Sequence, residues 1–304
     1  MRFSVWPSPY RPFEETAGTV ALCERLGWHA AYMADHFMPN APDATPLRGD
    51  VLEALTTLSA LAARTSRIRL GTLVASATYR HPAVFSKALA TLDQISGGRV
   101  IAGLGAGWQE NEHASYGIEL GSIKARIDRF DEYVEVLRSM LTGETTTYEG
   151  TYFSLHDAPC DPRPVQSPLP ILLGVRGKRR TMAIAARRAQ VWNAWCSPAS
   201  LAECNQVLDA HCEAIGRDPK SLSRSTQALV YLSLDESWLA PHREESPDNP
   251  PIVGTPSEVV DIVAAYRDAG CDELIVPCFT LGDAARSRDT LELFSQEVAQ
   301  HFQD

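Results

Sequence analysis

Hydrophobic positions along this chain follow two alternating rhythms. Short runs rich in β-branched and apolar residues predict strands at 2–6, 29–34, 68–74, 99–105, 170–173, 191–195, 226–234 and 273–277. Between them, apolar residues recurring every three or four positions predict helices at 14–26, 51–64, 83–95, 123–141, 178–189, 199–215, 257–269 and 284–302. The segment from Leu70 to Tyr116 shows the alternation most clearly. Pro82 opens a helix at its first position, where a missing N–H costs nothing. Val84, Phe85, Ala88, Leu89, Leu92 and Ile95 follow at helical spacing, and Ser96-Gly97-Gly98 stops the helix. The next strand runs into Ala106-Gly107-Trp108-Gln109-Glu110-Asn111-Glu112, where glycine lets a bound group approach the backbone.

Boundary signals support this division. Asp50 stands as an N-cap before Val51, Ser197-Pro198 supplies a cap and a first-turn proline, and Thr255-Pro256-Ser257-Glu258 reads as a capping box. Gly27 and Gly270 sit where helices end. Eight strand–helix alternations over this length predict an α/β fold, a (β/α)8 TIM barrel with insertions. A doubly wound open sheet is the competitor, usually with about five to seven strands. Residues 1–304 are read as one barrel domain with insertion segments near 143–168 and 236–251. The first reads as a hairpin and proline-rich loop, the second as a mobile surface loop.

Composition narrows the function classes. The chain is 44% hydrophobic and 22% charged, enough apolar material for a core. A net charge of −10 argues against a nucleic-acid partner, because neutralising phosphates requires a basic surface. The seven cysteines form no CxxC pair and read as reduced thiols. Pro7, Pro9 and Pro12 interrupt any signal-peptide core, and no apolar run reaches the roughly 18 residues of a membrane span. The expectation is a cytoplasmic protein acting on a small molecule, with no membrane partner.

In a barrel the working groups follow the strand C-termini. That filter selects Trp6, Asp35-His36, Ala75-Ser76, Gly107 to Glu112, Gly174 to Arg180, and Trp195-Cys196. Gly174-Val175-Arg176-Gly177-Lys178-Arg179-Arg180 places two glycines and four cations before a helix, which suits a phosphate. The same residues also suit a solvated basic helix face. The spacing is not GxxxxGK[ST], and Gly103-x-Gly105-x-Gly107 is not a GxGxxG fingerprint. Asp35-His36 can polarise a carbonyl or exchange a proton, or can cap a turn and pack beside it. Asn111 and Glu112 offer an amide and a carboxylate beside Trp108, or begin a short helix. Glu110-x-x-His113 has the spacing of a metal pair, but two ligands make no site, and no metal is expected.

Taken together, Leu70-Gly71-Thr72, Arg80-His81-Pro82, Leu92-Asp93-x-Ile95-Ser96-Gly97-Gly98-Arg99 and Gly103-x-Gly105-Ala106-Gly107-Trp108 resemble the luciferase-like monooxygenase superfamily. Ala34-Asp35-His36-Phe37-Met38-Pro39-Asn40, Gly254-Thr255-Pro256 and Asp272-Glu273-Leu274-Ile275-Val276-Pro277 resemble its branch that uses the deazaflavin coenzyme F-420. The resemblance implies a TIM barrel with the coenzyme ring over the strand C-termini. A bulge with a non-prolyl cis peptide would back the ring near Leu73-Val74-Ala75. Asp35, Ala106, Gly107, Trp108, Asn111 and Glu112 would flank the coenzyme. Its phosphate-bearing tail would meet Gly174, Val175, Arg176, Gly177, Lys178 and Arg179. His36 would face the reactive side as proton donor or polariser, and Trp6 and Trp195 would wall the substrate pocket. The implied activity is hydride transfer between F-420 and a small organic substrate, by a homodimer. The alternatives are an FMN-dependent monooxygenase and a non-catalytic flavin- or deazaflavin-binding protein. Relatives acting on sugar phosphates carry a catalytic glutamate where this chain has Trp108, and relatives tend to have a longer glycine run at Val175-Arg176.

Overall fold

Eight parallel strands pair edge to edge until the last meets the first. The structure, a computed structural model, describes residues 1–243 and 250–302. In chain order the barrel strands are β1 (Arg2–Trp6), β2 (Ala30–Met33), β3 (Arg69–Thr72), β4 (Val100–Gly105), β5 (Ile171–Gly174), β6 (Val191–Trp195), β7 (Ser223–Gln227) and β8 (Glu273–Pro277). Their neighbours run β3-β2-β1-β8-β7-β6-β5-β4. Leu70 then pairs with Val100 and Gly71 with Ile101, closing β3 onto β4. This is the (β/α)8 barrel that the alternation predicts.

The outer helices form where the periodicity places them, with local reasons at their ends. Pro82–Ser96 starts on proline and ends at Gly97, whose φ of 67° lies in the left-handed region that glycine adopts without cost. Capping boxes start Pro198–Glu213 at Ser197 and Pro256–Asp268 at Thr255. Their apolar faces pack on the outside of the barrel, joining residues such as Phe85, Phe130, Val134 and Leu208 into one buried core. Inside the barrel a smaller cluster of Ala30, Tyr32, Leu73, Ile101, Leu172, Val191 and Ile275 fills the lumen. At the strand N-termini, buried Glu273 accepts hydrogen bonds from Ser4 Oγ at 2.5 Å and Tyr32 Oη at 3.0 Å. The lumen is therefore packed at one end, leaving the C-terminal mouth for a ligand.

Several boundaries differ from the sequence reading, four of them with a consequence for the fold. The second helix begins at Ala54, not Val51, with Glu53 and not Asp50 as its cap. Leu52 N donates to Pro9 O, so the preceding backbone is held extended against the first loop. The run 226–234 is not one strand: β7 ends at Gln227, and Val230–Leu232 turns away to pair with Ile252–Gly254. The basic helix begins at Thr181, not Lys178, because Thr181 Oγ1 receives the Gly177 N–H at 3.0 Å and fixes 177–180 as a turn. The final helix stops at Glu297 and continues as a 3-10 turn, Ala299–Phe302.

In the insertion near 143–168, Thr145–Glu149 and Ser154–Pro159 form the expected antiparallel hairpin. Within 236–251, read as a loop, Glu236–Leu239 is a short helix, and residues 244–249 lie outside the described residues. All seven cysteines are unbridged. Among the described residues no helix is long and apolar enough to cross a membrane, and no three potential ligands stand together to hold a metal ion.

Candidate active site

The barrel mouth opens into a pocket of about 600 Å³ lined by residues at or just beyond the C-termini of β1 to β7 and by Ile123, Arg126, Ile127 and Thr181 from two helices. One side is built on the chain leaving β3. The Leu73–Val74 peptide is cis, where the family resemblance places a non-prolyl cis bond. Ala75-Ser76 then re-joins the barrel, pairing with Leu104 and Gly105. The Val74 side chain is directed between β4 and β5. A Cβ on Gly105 would meet Val74 Cγ2 at 2.7 Å, and one on Gly174 would meet Val74 Cγ1 at 2.8 Å. Both glycines are what this approach requires. With Leu73, Ala75 and Ala106 they give this side an apolar surface.

Asp35 and His36 follow β2 and line the pocket with different tasks. The buried Asp35 carboxylate takes both Arg80 nitrogens, at 2.6 and 2.9 Å, and the Ser76 N–H at 3.1 Å. It therefore ties the end of β2 to the chain beyond Val74. Arg80 also binds Glu53 at 2.5 Å. Burial opposes its charge, but the two carboxylates outweigh burial and hold the guanidinium firmly protonated.

His36 reaches the pocket from a fixed support. Its Nδ1 lies 2.8 Å from Glu112 Oε1, while Glu112 Oε2 receives the Phe37 N–H at 2.8 Å and Tyr79 Oη donates to Oε1. Burial pushes the Glu112 carboxyl up, yet His36, Phe37 N–H and Tyr79 together bring it below its ordinary value. Burial and then the Glu112 carboxylate push the Tyr79 phenol up. A carboxylate at Nδ1 fixes a proton there and leaves Nε2 as the nitrogen available to a ligand. Trp108 stands edge-on to the His36 ring at 5.7 Å and is 58% exposed, at the rim.

The helix Glu110–Tyr116 supplies Glu112 and is locked in place by hydrogen bonds. His113 bonds Gln109 O and Thr78 Oγ1, and Thr78 Oγ1 bonds Ser76 Oγ. With both its nitrogens engaged, His113 is a strut. Asn111 and Glu112, expected to flank the coenzyme, lie off the pocket. The buried Asn111 amide donates to Pro39 O at 2.9 Å, and Glu112 sits behind His36.

The basic loop is also divided. Gly174, Val175, Arg176 and Gly177 line the pocket, whereas Lys178 and Arg179 do not. Lys178 turns outward toward Glu203 at 3.5 Å, Arg180 pairs with Asp128, and Arg179 is exposed. Among the described residues, Arg176 has no acidic partner, and Arg126, which donates to Gly107 O at 3.0 Å, is the other pocket-lining guanidinium. Trp6, Asn193, Trp195 and Gln227 also line the pocket, with the two indoles 6.3 Å apart. Tyr79, Arg126, Asn193 and Gln227 are pocket residues that the sequence reading did not select. For Gln227 the signal was its place at a strand end, hidden by running that strand on to Leu234.

Similar proteins bear on this site. An F-420-dependent glucose-6-phosphate dehydrogenase of Microbacterium testaceum is 37% identical over 170 residues, 56% of this chain and 48% of its own length. The chain thus spans about half of that relative. A protein of the same description from Segniliparus rotundus is 29% identical over 307 aligned residues, covering 88% of each chain. The solved coenzyme F-420-dependent tetrahydromethanopterin reductase of Methanopyrus kandleri shares the fold, with a TM-score of 0.84 at 21% identity over 99% of both chains. Residues 1–239 match the luciferase-like monooxygenase family, and the chain belongs to it.

Proposed function

We propose that the chain is an F-420-dependent oxidoreductase that moves a hydride between the deazaflavin and a small organic substrate. The observation that carries this reading is the platform made where Val74 enters between Gly105 and Gly174, with unpaired Arg176 at its rim. An apolar floor with Val74 seated between two glycines suits a flat ring, and a free guanidinium suits an anionic tail. The naming of relatives as F-420-dependent supports the same choice.

On this reading Leu73, Val74, Ala75, Ala106 and Gly107 carry the ring, and Gly174, Val175, Arg176 and Gly177 meet the tail. Bound there, the coenzyme supplies or takes the hydride. The protein orients the ring, excludes water with its indole walls and handles the proton at His36 Nε2. Glu112 keeps the opposite nitrogen protonated, so one tautomer faces the substrate. The seven unbridged cysteines support a reducing cytoplasmic setting, and family resemblance supports a homodimer.

Titrating the purified protein with F-420 and with FMN, following ring fluorescence, tests the reading. Tight binding of F-420 with weak binding of FMN is expected, and turnover without oxygen consumption separates this activity from an FMN monooxygenase. Binding of neither below the millimolar range overturns both.

A further inference from the structure

One oxygen of Glu112 serves two pocket residues. Oε1 lies 2.8 Å from His36 Nδ1 and also accepts a hydrogen bond from Tyr79 Oη, and both His36 and Tyr79 line the pocket. Oε2 takes the Phe37 N–H at 2.8 Å, so three groups share one buried carboxylate. The Tyr79 ring is held by its neighbours, with Phe37 and His113 packed on it at 4.6 and 4.9 Å between centroids. Its backbone is held too: Tyr79 N donates to Ser76 O, and the next residue, Arg80, is clamped by Asp35 and Glu53. Tyr79 thus stands on the segment that follows Val74, while its hydroxyl ends on the support of His36.

Each hydrogen bond donated to a carboxylate stabilises its charged form and makes it a weaker base. The Tyr79 hydroxyl therefore lessens the pull of Oε1 on the His36 Nδ1 proton. That pull matters at the other nitrogen, because a stronger acceptor at Nδ1 makes Nε2 more basic. Without the hydroxyl, Nε2 would hold a proton more tightly and return it more slowly. With it, the ring can both take a proton and give it back.

We propose that Tyr79 is a positioning residue of the proton step: by sharing Glu112 Oε1 with His36, its hydroxyl moderates the basicity of His36 Nε2. The proposal rests on the reading of His36 as the group that handles the proton. Tyr79 itself exchanges nothing with the substrate; burial, and then the Glu112 carboxylate, keep its phenol protonated. Tyr10 and His113 also lie within electrostatic reach of Glu112, and Asp35 and Arg80 within reach of Tyr79. All four stay in place when only the hydroxyl is changed.

Diethyl pyrocarbonate, which attacks the unprotonated nitrogen of a neutral imidazole, reads Nε2 without substrate or coenzyme. The rate of ethoxyformylation at His36 is followed by peptide mass spectrometry at about pH 8, above the ordinary titration range of histidine. Tyr79→Phe keeps the ring on which Phe37 and His113 pack and loses only the hydroxyl. His36 is expected to react about threefold or more faster in this variant than in the wild type. Replacing Tyr79 by 3-fluorotyrosine, a stronger donor of nearly the same size, slows the reaction, a trend that altered access to the pocket does not produce. Glu112→Gln, with an uncharged acceptor, slows it as well. Exposed His156 keeps its wild-type rate, and buried His113 stays unmodified, which reports an intact fold. Equal His36 rates in all chains, a slower rate in Tyr79→Phe, a faster one with 3-fluorotyrosine, or no reaction at His36 in the wild type overturns the proposal. If the expected order holds in a protein that binds no F-420, the coenzyme reading fails and the role of Tyr79 stands. Binding of F-420 with equal rates does the reverse.

Discussion

Glu112 Oε1 holds His36 Nδ1 at 2.8 Å from a position with no solvent-exposed surface. The pair divides one function between two residues, since His36 lines the pocket and Glu112 does not. Replacing His36 by Asn is expected to lower turnover about 10²- to 10⁴-fold, the range of a lost general acid or base. Coenzyme affinity should stay within a few-fold, because the Val74 platform is untouched. A parallel loss of affinity, read by fluorescence titration, would make His36 a coenzyme ligand instead.

The same pair gives stability an acid limb of known sign. Glu112 titrates below its ordinary value of 4.5 in the folded chain, so its ionised form is favoured by folding. The contribution is fully present above about pH 4.5 and is lost as pH falls through the depressed value. Glu112→Gln should lower stability at pH 7 by about 1–3 kcal/mol, since Phe37 N–H, Tyr79 and His36 lose a charged acceptor. Thermal melts from pH 7 to pH 3 should show the gap between the variant and the wild type narrowing below pH 4.5. A constant gap would mean that the charge of Glu112 is immaterial.

Arg176 and Lys178 are two residues apart, yet only Arg176 lines the pocket. Arg176→Glu is expected to weaken coenzyme binding about tenfold or more, by an amount that shrinks between low and high salt. Lys178→Glu removes an exposed pairing with Glu203 and should leave binding within about twofold. Titrations of the two variants at two ionic strengths decide the matter. Equal losses would restore the reading of the whole basic run as one phosphate site.

The contrast between those two residues shows where sequence reading stops. Strand periodicity and capping signals are local, so β1, β6 and β8 have the predicted bounds and Thr255 and Glu258 form their box. Partners of charged side chains are not local. Lys178 and Arg180 are turned outward by Glu203 and Asp128, residues on other helices that no spacing links to the loop. Glu112 was legible as a functional carboxylate but not as the support of His36, 76 residues away. Gln227 was missed because the strand containing it breaks at a point set by pairing with distant Ile252–Gly254.

Val74 and Gly174 can be tested as a unit. A Cβ on Gly174 would meet Val74 Cγ1 at 2.8 Å and Cγ2 at 3.2 Å, distances that force the valine to move. Gly174→Ala should therefore destabilise the chain by about 1–3 kcal/mol, as overpacking does, and weaken coenzyme binding by disturbing the platform. Val74→Ala removes both γ-carbons and opens the space the new methyl needs. The double variant should recover about 1 kcal/mol relative to the sum of the two single changes, because the residues are in contact. Chemical denaturation of the four chains measures that coupling. Strict additivity would show that Gly174 is kept for another reason, leaving the tail-binding loop and the Val74 platform as independent parts of the site.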